Sequence, residues 1–184
     1  PAGSLYNVGH YIDHELVANL EADSAARIAR AEGGAPLRWL LTVGGAGAQA
    51  ELFRAILSEL MPLVKAGHAA VFVNAGDHKD VLDALCREVP GLADGTTHTD
   101  YEEIKGFAQQ ALTGEVQGVH LFWSQDIYTA VYATNLLMRA SDVLMTKPSE
   151  LAFYPVPKLM LHRVGGHEAW GAIRAAELGD GTFE

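Results

Sequence analysis

Three short stretches carry residue types that could do chemistry. Gly44-Gly45-Ala46-Gly47-Ala48 is a glycine turn running straight into a helical pattern. Glycines let a backbone approach a ligand closely, and the unpaired amides and dipole of the following helix favour an anion such as phosphate. Thr146-Lys147-Pro148-Ser149-Glu150-Leu151 places a hydroxyl, a cation and a carboxylate beside one another, and Gly165-Gly166-His167-Glu168 sets a polar pair after two glycines. Phe122 and Trp123 add adjacent aromatics at the end of an apolar run.

Other groupings exclude chemistry. A dinucleotide site calls for G-x-G-x-x-G and an acid at the end of the next strand to hold a ribose, and Asn74 stands there instead. That counts against NAD and against a methyltransferase. His10, Asp13 and His14 have i, i+4 spacing, and Asp77, His78 and Asp80 lie close in sequence, but neither group points to a further distant ligand, so no metal is expected. No cofactor is implied. With 13 Lys plus Arg against 23 Asp plus Glu, the formal charge is -10, which argues against a broad nucleic-acid footprint.

The elements that must position these residues alternate. Apolar residues from His14 to Arg30 read as a helix stopped by Gly33, Gly34 and Pro36. Leu37–Val43, Ala69–Asn74, Gly118–Trp123, Val143–Thr146 and Lys158–Leu161 read as strands. Between them, helical spacing runs from Leu52 to Val64, from Val81 to Val89 with Asp77 as N-cap, from Ile104 to Leu112, and from Ile127 to Ala140. The last of these is apolar nearly all round and is expected to be covered on more than one side. Pro90 to Asp100, polar and glycine-containing, reads as a loop.

Strands alternating with helices imply parallel pairing through right-handed crossovers, and unbroken apolar strands imply a sheet covered on both faces. The expected fold is a three-layer, doubly wound α/β sheet of Rossmann-like type, with ligands bound at the carboxyl ends of the strands. Residues 1–36 read as a linker and leading helix, and residues 37–184 as the binding domain. No apolar run approaches the roughly 18 to 20 residues of a membrane span. A single cysteine, Cys86, and the absence of a signal-like N-terminus make the cytoplasm the expected address.

In this order and spacing the motifs resemble the donor-binding half of GT-B glycosyltransferases. They are especially similar to the peptidoglycan N-acetylglucosaminyltransferase and galactolipid synthase group. Gly44 to Ala48 is similar to that family's glycine turn after the first strand. Ser149-Glu150-Leu151-Ala152 with Val156-Pro157 is similar to its S-E-x-A-x-x-G-x-P motif, and His167-Glu168-Ala169-Trp170-Gly171-Ala172 to its polar pair before an N-A step. The chain departs from the pattern by shortening the loop after Thr146 to Lys147-Pro148 and by placing Gly171 where the family has Asn.

The resemblance implies a UDP-sugar-binding, Rossmann-like half of a hexosyltransferase, with no cofactor. It places the ribose on Glu150, the base between Phe122 and Trp123, and the sugar beside His167 and Glu168. Gly44, Gly45 and Gly47 line the diphosphate or acceptor edge, with Thr146, Ser149 and Gly166 around them. An acceptor-binding N-terminal domain, which the resemblance also requires, is the expected partner, and without it the chain is expected to be inert. Read without the resemblance, Glu150, His167 and Glu168 are ordinary first-turn residues, Lys147 is a solvated cation, and Phe122 and Trp123 belong to the core. A nucleotide-sugar epimerase and a non-catalytic donor-like binding domain are the alternatives.

Overall fold

The computed structural model describes residues 3, 5–6, 12–43, 49–148, 154–163, 165–179 and 181–182. Six strands form one sheet: β1 (Leu37–Thr42), β2 (Ala69–Asn74), β3 (Thr96–His98), β4 (Gly118–Phe122), β5 (Val143–Thr146) and β6 (Lys158–Met160). Their spatial order is β3-β4-β2-β1-β5-β6, and every pairing is parallel. Among the described residues seven α-helices accompany them: α1 (His14–Ala18), α2 (Leu20–Glu32), α3 (Ala50–Lys65), α4 (Lys79–Glu88), α5 (Tyr101–Thr113), α6 (Ile127–Ala140) and α7 (Ala169–Leu178). No described helix is long and apolar enough to cross a membrane.

Successive strand residues point to opposite faces, and the core divides accordingly. Leu40, Phe72, Phe122 and Leu144 pack under α1, α2, α5 and α6 with Leu16, Ile104, Phe107 and Leu137. Leu41, Val71, Val73, Leu121 and Met145 pack on the other face with Phe53 and Leu57 of α3 and Leu82 and Leu85 of α4. This is the expected three-layer doubly wound sheet. Helix α7 adds a small cluster, Ala172 and Ala175 against Met160.

Four local readings differ. Thr96–His98 is a sixth strand, paired with β4 alone, inside the stretch that reads as a loop. An edge strand needs backbone partners on one side only, so its polar side chains give no apolar signal. The leading helix breaks at Asn19 into α1 and α2. Helix α4 starts after His78 rather than Asp77, with no side-chain cap. Helix α6 is covered on more than one side from Tyr132 to Ala140, as expected, but its first turns are not, with Ile127, Tyr128 and Val131 51%, 83% and 65% exposed.

One strand residue carries a buried charge. Arg38 is 2% exposed, and its guanidinium donates to the carbonyls of Ala111, of Ala140 at 3.3 Å and of Gly114 at 2.7 Å. These carbonyls close α5 and α6, where the helix dipole favours a cation. Burial lowers the Arg38 pKa to about 10.

Candidate functional site

The strand order fixes where a ligand site should form. From β1 the sheet grows one way through β2, β4 and β3 and the other way through β5 and β6, so the direction switches between β1 and β5. At such a point the loops leaving the two strands diverge and open a crevice at their carboxyl ends. Thr42 ends β1 and Thr146 ends β5. The Thr42 hydroxyl donates to the Thr146 hydroxyl at 2.8 Å, and both residues are buried.

Directly after Thr146 comes Lys147, whose ammonium donates to Glu168 Oε1. The second oxygen, Oε2, accepts from the Gly165 amide at 3.2 Å. The Glu168 side chain is 8% exposed and that of Lys147 28%. A buried carboxylate in the turn before α7 thus holds a half-buried cation at the end of β5. Lys147 is therefore not the freely solvated cation that its sequence neighbourhood suggests.

The start of α3 lies at the same end of the sheet. Gln49, its N-cap, has φ +105°, a region that side-chain-bearing residues rarely adopt. The Gln49 side-chain amide donates to the His162 carbonyl just beyond β6. Gln49 gives the first turn no side-chain hydrogen bond, leaving that end of the helix dipole uncompensated by a cap.

The expected site residues fall into three groups. Thr146, Gly166 and Glu168 come to this end of β5 and the turn before α7, as does the backbone of His167. Gly44, Gly45, Gly47, Ser149 and Glu150 lie outside the described residues. Phe122 is fully buried, its ring stacked on His98 at 4.8 Å and 11° and flanked by Phe72 and Phe107. It is a core aromatic with no surface to offer a base. Trp123 keeps partial exposure, with the Lys79 ammonium 5.5 Å from its ring centroid.

Asn74, at the position where a dinucleotide fold carries its acid, is committed internally. It donates to the Thr134 hydroxyl at 2.9 Å and accepts from the Gly76 amide at 3.1 Å. Asp13 is likewise engaged as the cap of α1, accepting from the Glu15 amide at 3.2 Å. Among the described residues no three His, Cys, Asp or Glu side chains are grouped to hold a metal ion.

Two histidines that sequence reading passes over form a pair. His98 Nε2 lies 3.3 Å from His120 Nδ1, and His120 Nε2 lies 3.2 Å from the Gln117 carbonyl. A carbonyl can only accept, so in the neutral pair His120 donates from Nε2 and accepts from His98 at Nδ1. Burial among aromatic rings lowers both pKa values, that of His120 to about 4. They stand 22 residues apart in sequence, so only the pairing of β3 with β4 could reveal them. Thr96, Val119 and His120 also border a groove of about 1010 Å³ with Met61, Val64 and Val89. It opens at the amino ends of β3 and β4, away from the β1/β5 crevice.

The fold defines the chain as an all-parallel, doubly wound α/β domain whose strand order switches direction between β1 and β5. It belongs to the family described as a domain of unknown function (DUF6938), which matches residues 1–184. No curated protein and no solved structure matches it significantly.

Proposed function

We propose that this domain binds a nucleotide diphosphate sugar, as the donor half of a GT-B type glycosyltransferase. One observation supports the reading above others: two of the three motif regions of the resemblance meet at the sheet's switch point, linked by Lys147 and Glu168. A diphosphate there would find a lysine and the start of α3, and Glu150 is assigned to the ribose hydroxyls. Transfer further requires an acceptor surface and a general base. Both are assigned to a partner domain, so residues 1–184 alone are expected to bind donor without transferring sugar.

A second reading, a donor-like binding module without catalysis, draws on the burial of Phe122 and the engagement of Glu168 by Lys147. Calorimetric titration with UDP, GDP, ADP and their sugars tests the binding that both readings share. Saturable binding of a nucleotide is expected with Kd about 10 μM to 1 mM. No binding of any of them at millimolar concentration rejects both. Transfer from a bound donor after addition of the acceptor domain separates them.

A further inference from the structure

We infer that Lys147 is the phosphate-contacting residue of this crevice, and that Glu168 acts on a ligand only through Lys147. The inference rests on the donor reading for the identity of the nucleotide, but not for the anion itself.

Lys147 leaves β5 at the switch point, next to the Thr42–Thr146 hydroxyl pair. An unpaired lysine there would sweep a wide volume on its four-carbon stem, losing rotamer freedom on each binding event. Glu168 removes that freedom. Its Oε1 takes one of the three ammonium hydrogens, and its Oε2 is itself fixed by the Gly165 amide. Among the described residues Lys147 has no other hydrogen-bond partner, and it keeps 28% exposure. A cation so oriented, part exposed and with donors to spare is prepared for an anion.

The other lysine on an adjoining turn is committed elsewhere. Lys79 donates to both carboxylate oxygens of Asp83 at 2.8 and 2.7 Å and lies over Trp123. Glu168, with both oxygens engaged, is not presented to a sugar hydroxyl. Its carboxylate orients the ammonium, and the start of α3 at the same end of the sheet adds its dipole to the anion's field.

The test compares UDP with inorganic pyrophosphate by calorimetry on wild type, Lys147→Met, Lys147→Arg, Glu168→Gln and the Lys147→Met/Glu168→Gln pair. Lys147→Met is expected to weaken both ligands about 10- to 100-fold, the range of one charged hydrogen bond, with Lys147→Arg retaining most of the affinity. Glu168→Gln is expected to weaken both ligands too, and the double variant to be no weaker than Lys147→Met alone. The double variant also serves as the folded control should Lys147→Met be destabilised by loss of its bond to Glu168. Unchanged affinity in Lys147→Met or in the folded double variant overturns the assignment, and additive losses overturn the positioning role of Glu168. Wild-type binding of pyrophosphate but of no nucleotide, abolished by Lys147→Met, would remove the donor reading and leave Lys147 as the anion residue. Wild type that binds neither ligand rejects both.

Discussion

Arg139 of α6 and Asp23 of α2 are joined by two hydrogen bonds, from Nε at 2.8 Å and Nη2 at 3.2 Å. Arg139 also donates to Glu15 at 2.7 Å, Tyr132 donates to Glu15, and Tyr154 donates to Asp23 at 2.8 Å. The fork geometry satisfies the carboxylate on two sides, and the bond to Asp23 raises the Arg139 pKa. Burial, with the bond to Asp23 second, pushes the Tyr154 hydroxyl up to about 12. The leading helices are thereby tied into the body of the domain rather than trailing from it.

Asp23→Ala leaves Arg139 paired with Glu15 but removes the acceptor of both Arg139 and the Tyr154 hydroxyl, and hydrogen bonds to a charged group contribute about 1.5 to 3 kcal/mol. The variant is therefore expected to lower the urea midpoint by that equivalent while the transition stays single. A loss below about 1 kcal/mol would show that α1 and α2 are dispensable to the fold.

The Thr42–Thr146 bond makes a second stability prediction. Thr42→Val leaves the Thr146 hydroxyl buried without its donor and is expected to cost about 1 to 3 kcal/mol, whereas Thr42→Val/Thr146→Val removes both polar groups and costs less than either single change. Chemical denaturation of the three variants forms a double-mutant cycle. Additive losses would mean that the two hydroxyls are not coupled.

The His98–His120 pair sets an acid limit. Its pKa values fall below the unfolded value of about 6.5, so between that pH and about 4 the unfolded chain binds more protons than the folded one. Stability is then fully present above pH 6.5 and is lost as pH falls toward 4. Both rings are part exposed, and solvent screening reduces the contribution of His120 to about 1 to 2 kcal/mol. His120→Gln is expected to flatten that portion of the stability-against-pH curve relative to wild type. Parallel curves for the two proteins over pH 4 to 7 would show that the pair does not titrate with folding.

Legibility in the sequence followed how local each cause was. Ala69–Asn74, Val143–Thr146 and Ile127–Ala140 are set by contiguous apolar runs, and the structure gives them the same bounds. Arg38 hides within the apolar run Leu37–Thr42 because the carbonyls that accept from it come from the ends of α5 and α6, at Ala111, Gly114 and Ala140. His98 and His120 need the register of an edge strand that polar residues build. At the site, the apolar runs located the carboxyl ends of β1 and β5. The spacing of Lys147 and Glu168, 21 residues apart, could not announce that they pair, since neither lies on a shared helix face or strand register. The exposed first turns of α6 were illegible for a related reason: apolar periodicity reports what a helix could bury and is silent on which neighbours the fold supplies.

Glu150 carries the last prediction, which rests on the Ser149-Glu150 match alone. A carboxylate can accept from both hydroxyls of a ribose diol, and charged hydrogen bonds of this kind contribute about 1.5 to 3 kcal/mol. Glu150→Gln keeps the size of the side chain but removes its charge and replaces one acceptor by a donor. UDP affinity is expected to fall by about 10- to 100-fold with an unchanged melting temperature. Pyrophosphate, which has no ribose, should bind this variant as it binds wild type, the opposite of the behaviour expected for Lys147→Met. Equal UDP affinity in Glu150→Gln and wild type would show that Glu150 is a helix-start acid, and would withdraw the ribose contact from it.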